Sequence, residues 1–69
     1  MIVVRFPDGS FVTRERDYYG IGSRHFSPAE IYECRGIAAM EFSCRTNAQN
    51  LAWYAGHGAR VHIVDNGGN

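Results

Sequence analysis

The side chains best suited to chemistry in this chain are two cysteines, Cys34 and Cys44, and three histidines, His25, His57 and His62. They carry the atom types of a zinc site. No C-x-x-C or H-x-x-x-H pair, however, presents two ligands from one turn or knuckle. Their spacing predicts two reduced thiols and three ordinary histidines, with no metal and no cofactor. A Cys–His nucleophile pair would need a thiolate in an accessible, electropositive setting. Cys44 alternates in phase with Met40 and Phe42, which places it in the core. Cys34 falls near a predicted helix C-terminus, where the helix dipole opposes a thiolate. No catalytic residue is therefore assigned. Gly20-Ile21-Gly22-Ser23-Arg24 begins like a phosphate loop but lacks the full glycine fingerprint and the strand and crossover helix that such a loop joins. It reads as a connection with two special backbone angles, although Arg24 and the helix start at Ser27 are placed to share an anion.

Recognition chemistry is denser. Tyr18, Tyr19, Arg24 and His25 crowd one predicted loop, Arg16 precedes it, and Trp53 lies on a later helix. Tyr, Trp and Arg each join a large contact area to a polar end, which is why they dominate protein-binding hot spots. Tyr18, Tyr19, Arg24, His25, Arg16 and Trp53 are accordingly the predicted partner-binding residues. The competing reading is that one Tyr folds back over the core while the rest are solvated. Trp53 and Tyr54 pose the same choice, since at helical spacing only one of them can share the Leu51 and Ala55 face and the other must stand partly exposed. Aromatics interleaved with Arg14, Arg16 and Arg24 would also suit single-stranded nucleic acid, by stacking bases and contacting phosphates.

The charge balance weighs on that choice. Seven basic residues, all Arg, face seven acidic ones. Neutrality disfavours both a mimic of nucleic acid, which needs a large negative field, and a strong non-specific nucleic-acid binder, which needs a positive surplus. Two cysteines are few for a small secreted domain, and the first residues read as a strand rather than a signal peptide, so a cytoplasmic protein is expected. The longest apolar run is far short of the ~20 residues of a membrane span.

Sixty-nine residues with nine aromatics are core material for one domain, 1–69, with 66–69 as a flexible tail. Its opening predicts a β-hairpin: β-branched and aromatic runs flank Pro7-Asp8-Gly9-Ser10, and Asp8-Gly9 as a two-residue loop sets Phe6 opposite Phe11 and Val4 opposite Thr13. Next comes a helix over 28–35. Ser27 and Glu30 have capping-box spacing, Pro28 suits the first helical position, Phe26 and Ile31 can form a staple, and Gly36 supplies the left-handed stop. A period-two alternation from Tyr32 to Arg45 competes with it, making 31–35 a strand paired with 39–45. The capping signals are local and multiple and favour the helix. Both readings make 38–45 a strand with Met40, Phe42 and Cys44 inward. Thr46-Asn47-Ala48-Gln49 is a second capping box opening a helix to about Ala55, and 59–65 is the last strand, with Val61 and Ile63 inward and Arg60 and His62 outward.

The predicted fold class is α+β: a small four-stranded mixed sheet, order ββαβαβ, with two short helices packed on one face. The last strand–helix–strand unit would form a right-handed crossover if its strands are parallel. One face of so small a sheet stays partly open, a natural place for a partner.

Residues 2–13, Ile2-Val3-Val4-Arg5-Phe6-Pro7-Asp8-Gly9-Ser10-Phe11-Val12-Thr13, resemble the opening of small accessory proteins of phages and mobile elements, some of which are anti-CRISPR inhibitors. The resemblance covers roughly the first fifth of the chain and carries over no binding residue. It implies a non-enzymatic inhibitor, monomeric or homodimeric, that blocks a host protein complex such as a CRISPR effector by occupying its surface. A nucleic-acid-binding regulator using the Arg/Tyr loop is the alternative.

Overall fold

A computed structural model of the chain describes residues 1–16, 18 and 26–64. Its elements are β1 (Ile2–Arg5), β2 (Phe11–Val12), α1 (Pro28–Glu33), β3 (Arg35–Gly36), α2 (Arg45–Ala55) and β4 (Arg60–Ile63). The four strands lie in the order β3-β2-β1-β4. The α+β class and the ββαβαβ order are as predicted, but every neighbouring pair is antiparallel, so the sheet is not mixed. The crossover does not form because three successive antiparallel pairings set β3 and β4 in opposite directions. α2 packs on β1 and β4, and α1 packs on α2.

The hairpin has a three-residue loop in place of the expected two. Gly9 N–H donates to the Phe6 carbonyl (3.0 Å), Phe6 N–H donates to that of Ser10 (2.8 Å), and Arg5 stands opposite Phe11. Two-residue hairpin turns of the Asp-Gly kind require positive φ at both central residues. Here only Gly9 has it, at +92°, while Pro7 presets the turn and the Asp8 carboxylate accepts from the Ser10 N–H at 2.8 Å. The one-residue slip decides what is buried: Val4, Phe6 and Val12 enter the core together, and Arg5 and Phe11 turn to the opposite face.

α1 begins as predicted, with the reciprocal capping box of Ser27 and Glu30 and Pro28 at its first position. It stops at Glu33, with Cys34 as C-cap. Gly36 is not a left-handed stop. It lies in β3 against Phe11, where a Cβ would come within 3.0 Å of Thr13 Cγ2, so glycine serves close strand approach. The predicted strand over 38–45 is reduced to isolated bridges of Ala39 to Thr13 and Phe42 to Ile2. Met40 is half-buried and Phe42 buried, but Cys44 is exposed, because it leaves the alternation to become the N-cap of α2. That helix thus starts before the Thr46 capping box. Its buried residues Ala48, Leu51, Ala52 and Ala55 follow one stripe at helical period. Val61 packs on the core as expected, whereas Ile63, at the end of β4, remains 66 % exposed.

Candidate interaction surfaces

The structure separates the predicted site residues. Tyr18 is buried and stacks edge-on against Phe26, ring centroids 5.5 Å apart. It belongs to the core cluster of Val4, Phe6, Ile31 and Leu51, so it is the tyrosine that folds back and not an exposed anchor. Burial pushes its pKa up, and its hydroxyl has no hydrogen-bond partner among the described residues. Arg16 lies 3.4 Å from the Glu30 carboxylate and 5.7 Å from the Phe26 ring centroid, a surface brace onto α1. Tyr19, Arg24 and His25, with the glycine pair between them, lie outside the described residues.

Trp53 and Tyr54 divide as helical geometry demands. Tyr54 is half-buried and its hydroxyl donates to the Phe26 carbonyl at 3.0 Å. Trp53 is 82 % exposed. It projects from the side of α2 opposite the buried stripe, among Thr46, Gln49 and Asn50, all exposed. An indole so placed adds almost nothing to the protein's own core.

A second surface lies on the face of the sheet away from the helices. Arg5 of β1 and Arg60 of β4 stand directly opposite each other, and His62 follows two residues on, opposite Val3. Residues opposite each other across a strand pair share a face, and like charges so placed oppose each other by roughly 0.2–1 kcal/mol. With Phe6, Pro7 and Gly58 they line an open groove of about 330 Å³ with no carboxylate among its described lining residues. Arg5 also sits 5.6 Å above the centroid of Phe11, an aromatic on the same face. The two ion pairs among the described residues, Arg16–Glu30 and Arg35–Asp8, lie elsewhere. The neutral total therefore hides a basic patch. Its Arg60 and His62 half is readable from the outward alternation of the last strand. Arg5 joins them only through the β1–β4 register, which sequence spacing does not reveal.

A third cluster is structural. Tyr32 is packed by the Arg35 guanidinium at 3.8 Å, by the stacked His57 ring at 4.0 Å and by the Phe6 edge at 5.1 Å. Arg35 in turn holds Asp8 (3.2 Å) and the Tyr32 carbonyl (2.7 Å), so the hairpin loop, α1 and the α2–β4 turn are clamped together.

The thiols differ. Cys34 is half-buried. Cys44 is exposed at the start of α2, where the backbone N–H groups of Asn47 and then Thr46 favour the thiolate and lower its pKa, although neither closes a hydrogen bond to the neutral sulfur. Among the described residues no three His, Cys, Asp or Glu side chains converge as a metal cluster, and no helix is long and apolar enough to cross a membrane. Set against family models, characterised proteins and solved structures, the chain matches none.

Proposed function

We propose that this protein is a non-enzymatic binding module that inhibits a protein complex by covering part of its surface, with Trp53 as the anchor. The observation that carries the reading is the 82 % exposure of Trp53 on an otherwise polar helix face. Burying such an indole in a partner's pocket is worth ≥2 kcal/mol at a typical hot spot, about 30-fold in affinity. A standard interface takes ~800 Å² from each partner, roughly a sixth of the 4630 Å² this chain exposes, so the outer face of α2 would be joined by its flanks. The resemblance of the opening hairpin supplies the class of target, a host effector complex of the CRISPR kind.

The groove of Arg5, Arg60 and His62 supports a second reading, a regulator that holds the phosphates of a single strand on its open sheet face. The two surfaces face away from each other, so substitutions separate them. The test is affinity capture from bacterial lysate, with and without nuclease, using the wild type, Trp53→Ala and Arg60→Glu. A stoichiometric protein partner that survives nuclease, is lost with Trp53→Ala and is kept with Arg60→Glu is the expected result. Co-purifying nucleic acid alone, lost with Arg60→Glu and weakened steeply by salt, overturns the first reading for the second.

A further inference from the structure

β4 is the end strand of the sheet, and the pattern of its bonds shows which groups face outward. At its end Val64 N–H donates to the Met1 carbonyl (2.7 Å) and the Met1 amino group donates to that of Val64 (2.8 Å). Antiparallel pairs alternate between doubly bonded and unbonded. Counting from Met1–Val64, the pairs Val3–His62 and Arg5–Arg60 are bonded, while Ile2–Ile63 and Val4–Val61 are not. An independent contact agrees: the Ile2 carbonyl accepts from Phe42 N–H at 2.8 Å, on the side of β1 away from β4. The N–H and C=O groups of Val61 and Ile63 therefore point to the free edge and have no backbone partner among the described residues. The edge carries no proline or lysine, and its four consecutive pairings with β1 run without a bulge; its short length and Arg60 are the only features among the described residues that blunt it.

We infer that this edge pairs with β4 of a second copy of the chain, antiparallel about a two-fold axis at His62. In that register Val61 lies opposite Ile63 of the second copy, and the converse, so all four outward groups of each copy are used in four N–H···O=C bonds. On the helix-bearing side each copy's Val61 covers the other's Ile63, which is 66 % exposed in the single chain. On the open side each Arg60 meets Val64 of the other copy and not its own like charge. Centring the pairing on Val61 instead sets Arg60 against His62 and leaves Ile63 facing Ala59. Centring it on Ile63 takes Val61 beyond the described strand. Of these three registers only the one at His62 sets Val61 against Ile63 and Arg60 against a described uncharged residue, and it places the two His62 side chains opposite each other on the open side. This self-complementarity is what selects a second copy over an unrelated strand. The dimer would be one continuous eight-stranded sheet, and it would bring the two Arg5–Arg60–His62 grooves side by side.

The test uses the whole chain. Sedimentation equilibrium should show the mass rising from 7.7 kDa toward twice that with concentration. Amide exchange at Val61 and Ile63 should slow at least about tenfold in step with it, while His62 and Val64 are protected at every concentration. Ile63→Pro removes an outward donor without breaking a bond to β1, so it should leave the circular dichroism unchanged and the chain monomeric. A monomeric mass up to millimolar concentration overturns the inference, as does a dimer in which the Val61 and Ile63 amides still exchange freely. Should Ile63→Pro fail to fold, the wild-type exchange pattern decides.

Discussion

The α2–β4 turn offers a test in which two glycines with similar φ should behave differently. Gly56 and Gly58 have φ of +69° and +75°. A Cβ on Gly56 meets nothing within 4 Å, whereas one on Gly58 would lie 2.7 Å from Pro7 Cγ and 3.4 Å from Cδ. Pro7 is ring-locked to the hairpin backbone and cannot swing aside. Gly56→Ala should therefore cost only its backbone strain, about 1–3 kcal/mol, less roughly 0.4–1 kcal/mol regained by stiffening the unfolded chain. Gly58→Ala carries a comparable backbone cost plus about 1–3 kcal/mol of overpacking against Pro7. A domain of this length has a total stability on the order of 5 kcal/mol, so the second substitution should leave it barely folded. Urea denaturation of the single variants and of both combinations with Pro7→Ala measures this directly. Pro7→Ala should recover at least about 1 kcal/mol in the Gly58→Ala background and almost nothing beyond its own cost in Gly56→Ala. Equal costs at the two glycines, with no coupling to Pro7, would refute the close approach of the hairpin loop to this turn and with it the floor of the basic groove.

Three further outcomes follow from the geometry. Tyr18→Phe removes a buried hydroxyl that has no hydrogen-bond partner among the described residues and should stabilise the fold by about 1 kcal/mol, raising Tm by roughly 4–8 °C; a drop in Tm would show that the hydroxyl is bonded. Cys44 should be alkylated faster than Cys34, with its rate reaching half-maximum below the usual thiol pKa of about 8.5; equal rates would argue against its place at the start of α2. The Asp8 carboxylate is held below its ordinary pKa by the Ser10 side chain and backbone and by Arg35. Its contribution is present above the unfolded carboxylate pKa and is lost as pH falls through the folded value, so Asp8→Asn should flatten the acid limb of a stability–pH curve below about pH 4, and an unchanged limb counts against the contact.

Much of the fold is legible locally. The Ser27–Pro28–Glu30 start of α1, the Ala48–Leu51–Ala52–Ala55 stripe and the hairpin itself depend on residues a few positions apart, and all appear in the structure. The failures have a common form. At the hairpin loop, Pro7 and the Asp8 side chain outweighed the Asp-Gly signal and moved the register by one residue. At Cys44 an alternation that suits a strand gave way to a helix start, and the thiol predicted to be core became solvent-exposed.

The functional surfaces divide along the same line. That one of Trp53 and Tyr54 must face solvent follows from helical period alone, and so do the outward Arg60 and His62. Composition and spacing could not say which of the loop tyrosines turns inward; packing against Phe26 took Tyr18. Nor could they show that Arg5, near one end of the chain, stands beside Arg60, near the other, because pairing of distant strands is decided by which register buries Val4, Phe6 and Val61 together. The sequence by itself determined the local elements and their amphipathic faces, through short-range hydrogen bonding and backbone preference. The antiparallel order, the basic groove and the free edge of β4 were decided only by tertiary structure, since each depends on burial shared between segments that have no local means of finding one another.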